Sequence, residues 1–236
     1  MRADVKINRG IVLRLAKYLR VLQKLKSLGF VKVFSNNLGD AVGVTPAVVR
    51  KDFSQISIPG NKRGGYNVDT LIDQIVQVLG KEEQQDIIVV GYGNIGHALL
   101  NYRDFQNEGI NVVACFDVKP ELIDRESEPP ILPMDELSDY VRERGVQVAA
   151  LAVPDAAATE VFDKLIEAGV RGVLNFTSVE VKCAGKCDMN NCPIKCVVQN
   201  VNIGLEIENL FYLVNMKQAE SPDFNAEING CEDESE

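Results

Sequence analysis

Apolar positions in the first third of the chain recur at helical spacing. In residues 10–28, "GIVLRLAKYLRVLQKLKSL", Ile11, Leu15, Tyr18, Leu22, Leu25 and Leu28 stand three or four apart, with Arg14, Lys17, Arg20, Lys24 and Lys26 between them. That period gathers the apolar side chains on one face, so an amphipathic helix with a basic outer face is expected up to Gly29. In "FSNNLGDAVGVTPAVVRKDFSQ" a second helix should run through Val42, capped by the side-chain oxygen of Ser35 or Asn36. Thr45 followed by Pro46 marks a third, from Pro46 to about Gln55, because proline's missing N–H costs nothing at the first helical position. Two short helices across the turn at Gly43 form a helix-turn-helix.

The segment "SIPGNKRGGYNV", 57–68, sets Lys62 and Arg63 among turn residues between β-prone ones, which predicts a hairpin with two cations at its tip. Such a wing suits the negative potential of a minor groove. "DTLIDQIVQVL", 69–79, is a further amphipathic helix with Asp69 as its expected cap, and the polar "GKEEQQD" reads as a linker. Beyond it the pattern changes to "DIIVVG", a helix from Ile95, "INVVACFD", a helix near 134–144, "VQVAALAVP", a helix over 155–168 and "GVLNF". Alternating apolar strands and helices predict an α/β fold of Rossmann type, a doubly wound parallel sheet with helices on both faces. A last helix, about 203–217, carries Leu205, Ile207, Leu210, Phe211 and Val214. Residues from 218 onward hold seven acids and no base, and a disordered acidic tail is expected there. The domains are therefore drawn at 1–80, 81–217 and 218–236.

The net charge of -9 alone argues against a nucleic-acid partner, and its distribution reverses that reading. Residues 1–80 hold 13 Lys and Arg against 5 Asp and Glu, a net of +8; residues 81–236 hold 12 against 29, a net of -17. A basic module fused to an acidic one is the pattern of a polyanion binder, while a merely solvated basic face is the plainer alternative. Apolar content of 46% and charged content of 25% are ordinary for a globular chain, and no run approaches a membrane span. The N-terminus lacks the apolar core of a signal peptide, so a cytoplasmic protein is expected.

"VVGYGNIGHALL" places Gly91, Gly93 and Gly96 at GxGxxG spacing directly after a strand and at the start of a helix. Gly91 serves the tight turn, Gly93 lets backbone approach a pyrophosphate, and Gly96 lets the helix pack on the strand, with the anion at the helix N-terminus. Tyr92, Asn94 and Ile95 complete the loop. Asp117 ends the next strand, 21 residues beyond Gly96, where a carboxylate would bond ribose hydroxyls and repel a 2'-phosphate; Lys119 softens that exclusion. NAD(H) is the expected ligand, with a glycine-rich structural turn as the alternative. Catalysis is the poorer reading: the lone histidine, His97, sits beside the phosphates, and too little chain follows "GVLNF" to build a substrate lobe.

Taken together, "RLAKYLRVL", "VTPAVVRKDF", "GGYNV", "GYGNIGHALLNY", "FDVKP" and "GVLNF" resemble the Rex family, bacterial redox-sensing repressors that join a winged helix to a Rossmann domain. The resemblance covers residues 10 to about 217. It implies a homodimer that binds palindromic operator DNA when NADH is low and is released by NADH, with NAD+ as the competing ligand. It also implies a final helix exchanged between protomers. The family's DNA-reading helix falls on Thr45 to Phe53, which makes Arg50 and Lys51 the implied DNA contacts and Lys62 and Arg63 the wing cations. A salt bridge within the small domain is the alternative role for Arg50. The family's Tyr, Asp and Arg cluster, which links the nicotinamide site to the DNA domain, falls on Tyr102, Asn202 and Arg20, and this makes Tyr102 an implied cofactor contact as well.

Three departures stand out. The wing reads "NKRGGY" where members commonly show "RGVGY". Asn202 replaces the aspartate, keeping a hydrogen bond but not an ion pair. Four cysteines, Cys183, Cys187, Cys192 and Cys196, occupy "CAGKCDMNNCPIKC", where family members have a shorter, cysteine-free connection. Disulfides do not suit a reducing compartment, so an iron–sulfur cluster or zinc on the four thiolates, with Lys182, Lys186 and Lys195 favouring ionisation, stands beside redox-switching thiols. Cys115 reads as core. The sequence thus points to an NADH-responsive DNA-binding repressor, with a metal or thiol sensor and an NAD-dependent oxidoreductase as the other readings.

Overall fold

The carboxamide oxygen of Asn8 accepts the Ile11 amide at 3.0 Å and opens α1 (Arg9–Ser27). The computed structural model describes residues 8–59, 64–182 and 196–220, with the side chains of 107 and 218–220 excepted. Contacts divide the chain into two units, 1–85 and 86–236.

In the first unit α1 is followed by β1 (Lys32–Val33), α2 (Ser35–Val42), α3 (Pro46–Gln55), β2 (Tyr66–Asn67) and α4 (Val68–Leu79). Leu15, Tyr18 and Leu22 of α1, Leu38 of α2, Val49 and Phe53 of α3, and Leu71 and Ile75 of α4 form its core. Phe53 meets the rings of Tyr18 and Tyr66 edge-on, with centroids 5.5 and 5.0 Å away. A buried ring of this size stabilises by about 1.5–3 kcal/mol, so the α3 register rests heavily on Phe53.

Three local expectations need correction. Neither Ser35 nor Asn36 caps α2: Ser35 is already helical, Phe34 holds the cap position, and Asn37 Oδ1 reaches back to accept the Phe34 N–H at 3.3 Å. Asn67, not Asp69, caps α4, accepting the Thr70 amide at 2.9 Å. Asp69 lies in the first turn, where its charge suits the helix dipole, and pairs with Lys26 at 2.6 Å. Among the described residues of 57–68, the only strand, β2, pairs antiparallel with β1 from before α2, through Lys32↔Asn67 and Val33↔Tyr66. Apolar alternation identifies a strand but not its distant partner.

The second unit runs β3 (Gln85–Val90), α5 (Asn94–Leu100), α6 (Asp104–Asn107), β4 (Ile110–Asp117), β5 (Ile131–Pro133), α7 (Leu137–Arg144), β6 (Val148–Leu151), α8 (Ala158–Ala168), β7 (Gly172–Asn175), β8 (Val197–Asn200) and α9 (Ile203–Glu220). One six-stranded sheet results, in the order β5-β4-β3-β6-β7-β8, and the β3/β6, β4/β5, β6/β7 and β7/β8 pairs are parallel. Ile88, Val90, Phe116, Leu151, Phe162 and Leu165 lie at the centre of the larger core cluster. The chain order runs outward from β3 to β5, then returns to the other side of β3 at β6. That reversal opens a crevice at the carboxyl ends of β3 and β6.

The helix expected near 134–144 starts at Leu137, and the one expected over 155–168 opens as a 3-10 turn at Asp155–Ala157. The final helix continues past 217 to Glu220, so the expected tail begins inside it; residues 221–236 lie outside the described residues. Nine large apolar side chains of α9, from Ile203 to Met216, are 44–65% exposed. Among the described residues no helix is long and apolar enough to cross a membrane.

Candidate nucleotide loop and DNA interface

The glycine loop lies at the sheet's crevice. Gly91 has φ +97°, and a Cβ there would stand 2.4 Å from the Ala152 carbonyl oxygen beyond β6. A Cβ on Gly96 would meet the Gly91 carbonyl oxygen at 1.8 Å, so bare backbone is what lets α5 pack on β3. Gly93 differs: nothing lies within 4 Å of its Cβ position, and the residue is exposed. The first bond within α5 runs from the His97 N–H to the Gly93 carbonyl at 2.9 Å, and the amides of Asn94, Ile95 and Gly96 precede it. Two glycines therefore answer to packing and one to open space.

Asp117 holds this loop. Its Oδ2 accepts the Tyr92 N–H at 2.7 Å and its Oδ1 the Lys119 N–H at 2.9 Å, while the Gly91 N–H donates to the Phe116 carbonyl at 2.8 Å. The carboxylate is half-buried and retains lone pairs beyond those two bonds. It thus has a structural duty that its terminal position in the strand did not reveal. At the end of β7, one strand beyond β6, the buried Asn175 accepts from the Thr177 amide and hydroxyl at 3.0 and 2.9 Å and donates to Asn200 Oδ1 and the Val179 carbonyl at 2.8 and 2.7 Å. These bonds fix the turn after β7. His97 is exposed and lies 5.5 Å, ring to ring, from Tyr92. Cys115 is fully buried, and burial with the nearby Asp117 pushes its thiol up to about 12.

In the first unit Thr45 caps α3, its hydroxyl facing the Val48 amide at 3.4 Å. Arg50 and Lys51 are exposed on α3, and Arg50 Nη1 donates to Ser35 Oγ at 3.1 Å. Arg50, Ser35, Asn36, Phe34, Pro46 and Tyr66 line a groove of about 530 Å³. Lys62 and Arg63 lie outside the described residues. A pair that the sequence reading missed is Arg14 with Asp52: the guanidinium forks onto the carboxylate at 2.7 and 2.8 Å, and Tyr18 Oη donates to the same carboxylate at 3.0 Å. The spacing of Arg14 and Tyr18 on one helix, four apart, was the available signal, but its partner lies 34 residues beyond Tyr18.

Of the three residues expected to couple the sites, Arg20 is exposed on α1 of the first unit. Tyr102 is 50% exposed, contacts the Phe105 ring at 4.9 Å, and lines a cavity of about 870 Å³ with Arg103, Arg125, Tyr140 and Arg144. None of Gly91 to Gly96 and not Asp117 line that cavity. Asn202 caps α9, its Oδ1 accepting the Leu205 amide at 3.1 Å. Cys183, Cys187 and Cys192 lie outside the described residues; Cys196 precedes β8, partly buried against the core. Among the described residues no group of three or more His, Cys, Asp or Glu is placed to hold a metal.

Two family models match, one described as "CoA binding domain" over residues 82–179 and one as "Putative DNA-binding protein N-terminus" over residues 6–54. Among curated proteins, the redox-sensing transcriptional repressor Rex of Ligilactobacillus salivarius is 35% identical over 214 residues, covering 90% of this chain and 96% of its own. That of Carboxydothermus hydrogenoformans is 36% identical over 208 residues, covering 88% and 96%. Among solved structures, RSP, a Rex-family repressor, matches with a TM-score of 0.74 at 23% identity over 90% of this chain and 96% of its own. RSP in complex with NAD+ and operator DNA matches with a TM-score of 0.77 at 23% identity over 96% and 98%. RSP with NADH matches with a TM-score of 0.73 at 24% identity over 92% and 98%. These structural likenesses establish a shared fold.

Proposed function

The chain belongs to the Rex family of redox-sensing transcriptional repressors, and we propose that it binds operator DNA when NADH is scarce and is released by NADH without catalytic turnover. The observation that carries this reading is the pairing, in one chain, of a helix-turn-helix presenting Arg50 and Lys51 with a glycine loop closed by Asp117. The open space at Gly93 and the leading amides of α5 support the pyrophosphate of NAD(H) there, and Asp117, whose carboxylate keeps free lone pairs, takes the ribose in this reading. Bound there, the nucleotide supplies a nicotinamide whose charge differs between its two redox states. The NADH and NAD+ complexes of RSP support this ligand over CoA.

The working unit is a homodimer, for which the apolar side chains exposed all round α9 supply an exchangeable helix. Two recognition helices with Thr45, Arg50 and Lys51 enter successive major-groove half-sites, and Lys62 and Arg63 approach the minor groove. NADH shifts the population toward a dimer whose helices no longer match those half-sites. A complete switch, from 99:1 to 1:99, requires about 5.5 kcal/mol of preference for the released state. Arg20, Tyr102 and Asn202 carry the coupling, with Asn202 contributing a hydrogen bond where the family has an ion pair.

Replacing Arg50, Lys51, Lys62 and Arg63 together by alanine should abolish DNA binding in a mobility-shift assay and leave NADH binding to the second unit intact. Operator binding that survives all four changes overturns the reading. For Cys183, Cys187, Cys192 and Cys196 we propose a thiolate metal site, iron–sulfur or zinc, supported by four cysteines within fourteen residues. Protein purified without oxygen should contain stoichiometric metal; a colourless, metal-free preparation rejects the site.

A further inference from the structure

Asp52 is 1% exposed, on the helix that carries Arg50 and Lys51, and its neighbours in the core are the fully buried Val49 and Phe53. Its Oδ1 accepts from Arg14 Nη2 at 2.8 Å; its Oδ2 accepts from Arg14 Nε at 2.7 Å and from Tyr18 Oη at 3.0 Å. Burial and the Asp52 carboxylate both push the Tyr18 phenol up, so it stays a donor at working pH. The Arg14 side chain is 29% exposed while the Asp52 carboxylate is buried, and an ion pair that desolvates its carboxylate in this way is a poor device for stability. What a fork of two parallel N–H bonds adds is direction. Apolar contacts at Val49 and Phe53 hold α3 on the core without prescribing a hydrogen-bond direction, whereas a bidentate guanidinium also fixes the angle at which Asp52 meets α1.

The position of Asp52 gives that direction a use. At about 100° per residue, Lys51 and Arg50 lie roughly 100° and 200° around the helix from Asp52. Pinning Asp52 to α1 therefore sets the angle at which the two exposed cations leave the other side. The same α1 carries Arg20, six residues beyond Arg14. We infer that Arg14 and Tyr18 clamp Asp52 to hold the DNA-reading helix at one rotation against α1, making Asp52, Arg14 and Tyr18 positioning residues for operator discrimination. This rests on the DNA-binding reading above.

The test uses the full-length chain. A duplex is selected by the wild type from a random pool, and affinities for it and for a scrambled duplex of equal length are measured across salt concentrations. Arg14→Lys keeps the charge and loses the fork; Tyr18→Phe and Asp52→Asn each remove one part of the clamp. With folding checked by circular dichroism at the assay temperature, Arg14→Lys should weaken the selected duplex about ten-fold. Its affinity for the scrambled duplex and the slope of log K against log salt should stay unchanged, because phosphate contacts are retained. A merely structural clamp would lower Tm and leave the selected-to-scrambled ratio alone. Wild-type ratios in folded Arg14→Lys and Tyr18→Phe overturn the clamp. A wild type that enriches no duplex removes the DNA-binding reading itself, and the clamp with it.

Discussion

Gly96 faces Gly91 across the nucleotide loop so closely that a methyl group on the first would stand 1.8 Å from the carbonyl oxygen of the second. The contact joins the start of α5 to the end of β3 and leaves no room for a side chain. Gly96→Ala should therefore lower the thermal midpoint of the second unit and abolish NADH binding together. Gly93→Ala should separate the two effects, since its φ of -74° suits alanine and its Cβ meets nothing within 4 Å. An unchanged midpoint with NADH affinity reduced about ten-fold or more, by nucleotide fluorescence titration, is the expected result. Equal affinities for the wild type and Gly93→Ala would place the ligand elsewhere.

Asp117 holds the Tyr92 and Lys119 amides, and in the proposed function it takes the ribose as well. Asp117→Asn keeps an acceptor oxygen and removes the charge that repels a 2'-phosphate. The NADPH-to-NADH affinity ratio should rise about ten-fold, a shift of about 1.4 kcal/mol, read by competitive titration. A ratio unmoved by the substitution would confine Asp117 to tying the loop.

Cys115 gives a pH signature. Its thiol is raised from an ordinary 9.0 to about 12 by burial, so between those values the unfolded chain has lost a proton that the folded chain keeps. The folded state then binds more protons, and stability falls as pH rises, by up to about 1.4 kcal/mol per unit for this group. The stability advantage of the wild type over Cys115→Ala in urea unfolding should be flat below pH 8 and shrink above pH 9. A difference that stays constant through pH 11 contradicts a buried, neutral thiol.

Much of this was legible in local chemistry. Pro46 after Thr45 located α3, and the strand before Gly91 with the acid at Asp117 located the crevice, because each signal lies within a few residues of its effect. What escaped depends on distant partners. Asp52 sits between Lys51 and Phe53 in a stretch that reads as a basic helix, and nothing nearby announces that it turns inward to Arg14. The pairing of β2 with β1 skips two helices, so the segment around 57–68 looked like a self-contained hairpin. Asn67 was passed over as a cap because Asp69 offers the same chemistry two residues later; the choice between them is settled by β2 ending at Asn67. The sequence shows that Asn202 can keep a hydrogen bond but not that its carboxamide caps α9, a duty asparagine performs as well as aspartate.

In the proposed switch, the redox state of one nucleotide decides whether this chain stays on DNA. Its most direct test is an anaerobic titration of the protein bound to its selected duplex, followed by fluorescence anisotropy, with NADH and NAD+ added separately. Release by NADH at concentrations about ten-fold or more below those of NAD+ is predicted, a difference of at least about 1.4 kcal/mol between the two nucleotides in driving release. Equal release by the two nucleotides, or none by either, would contradict it.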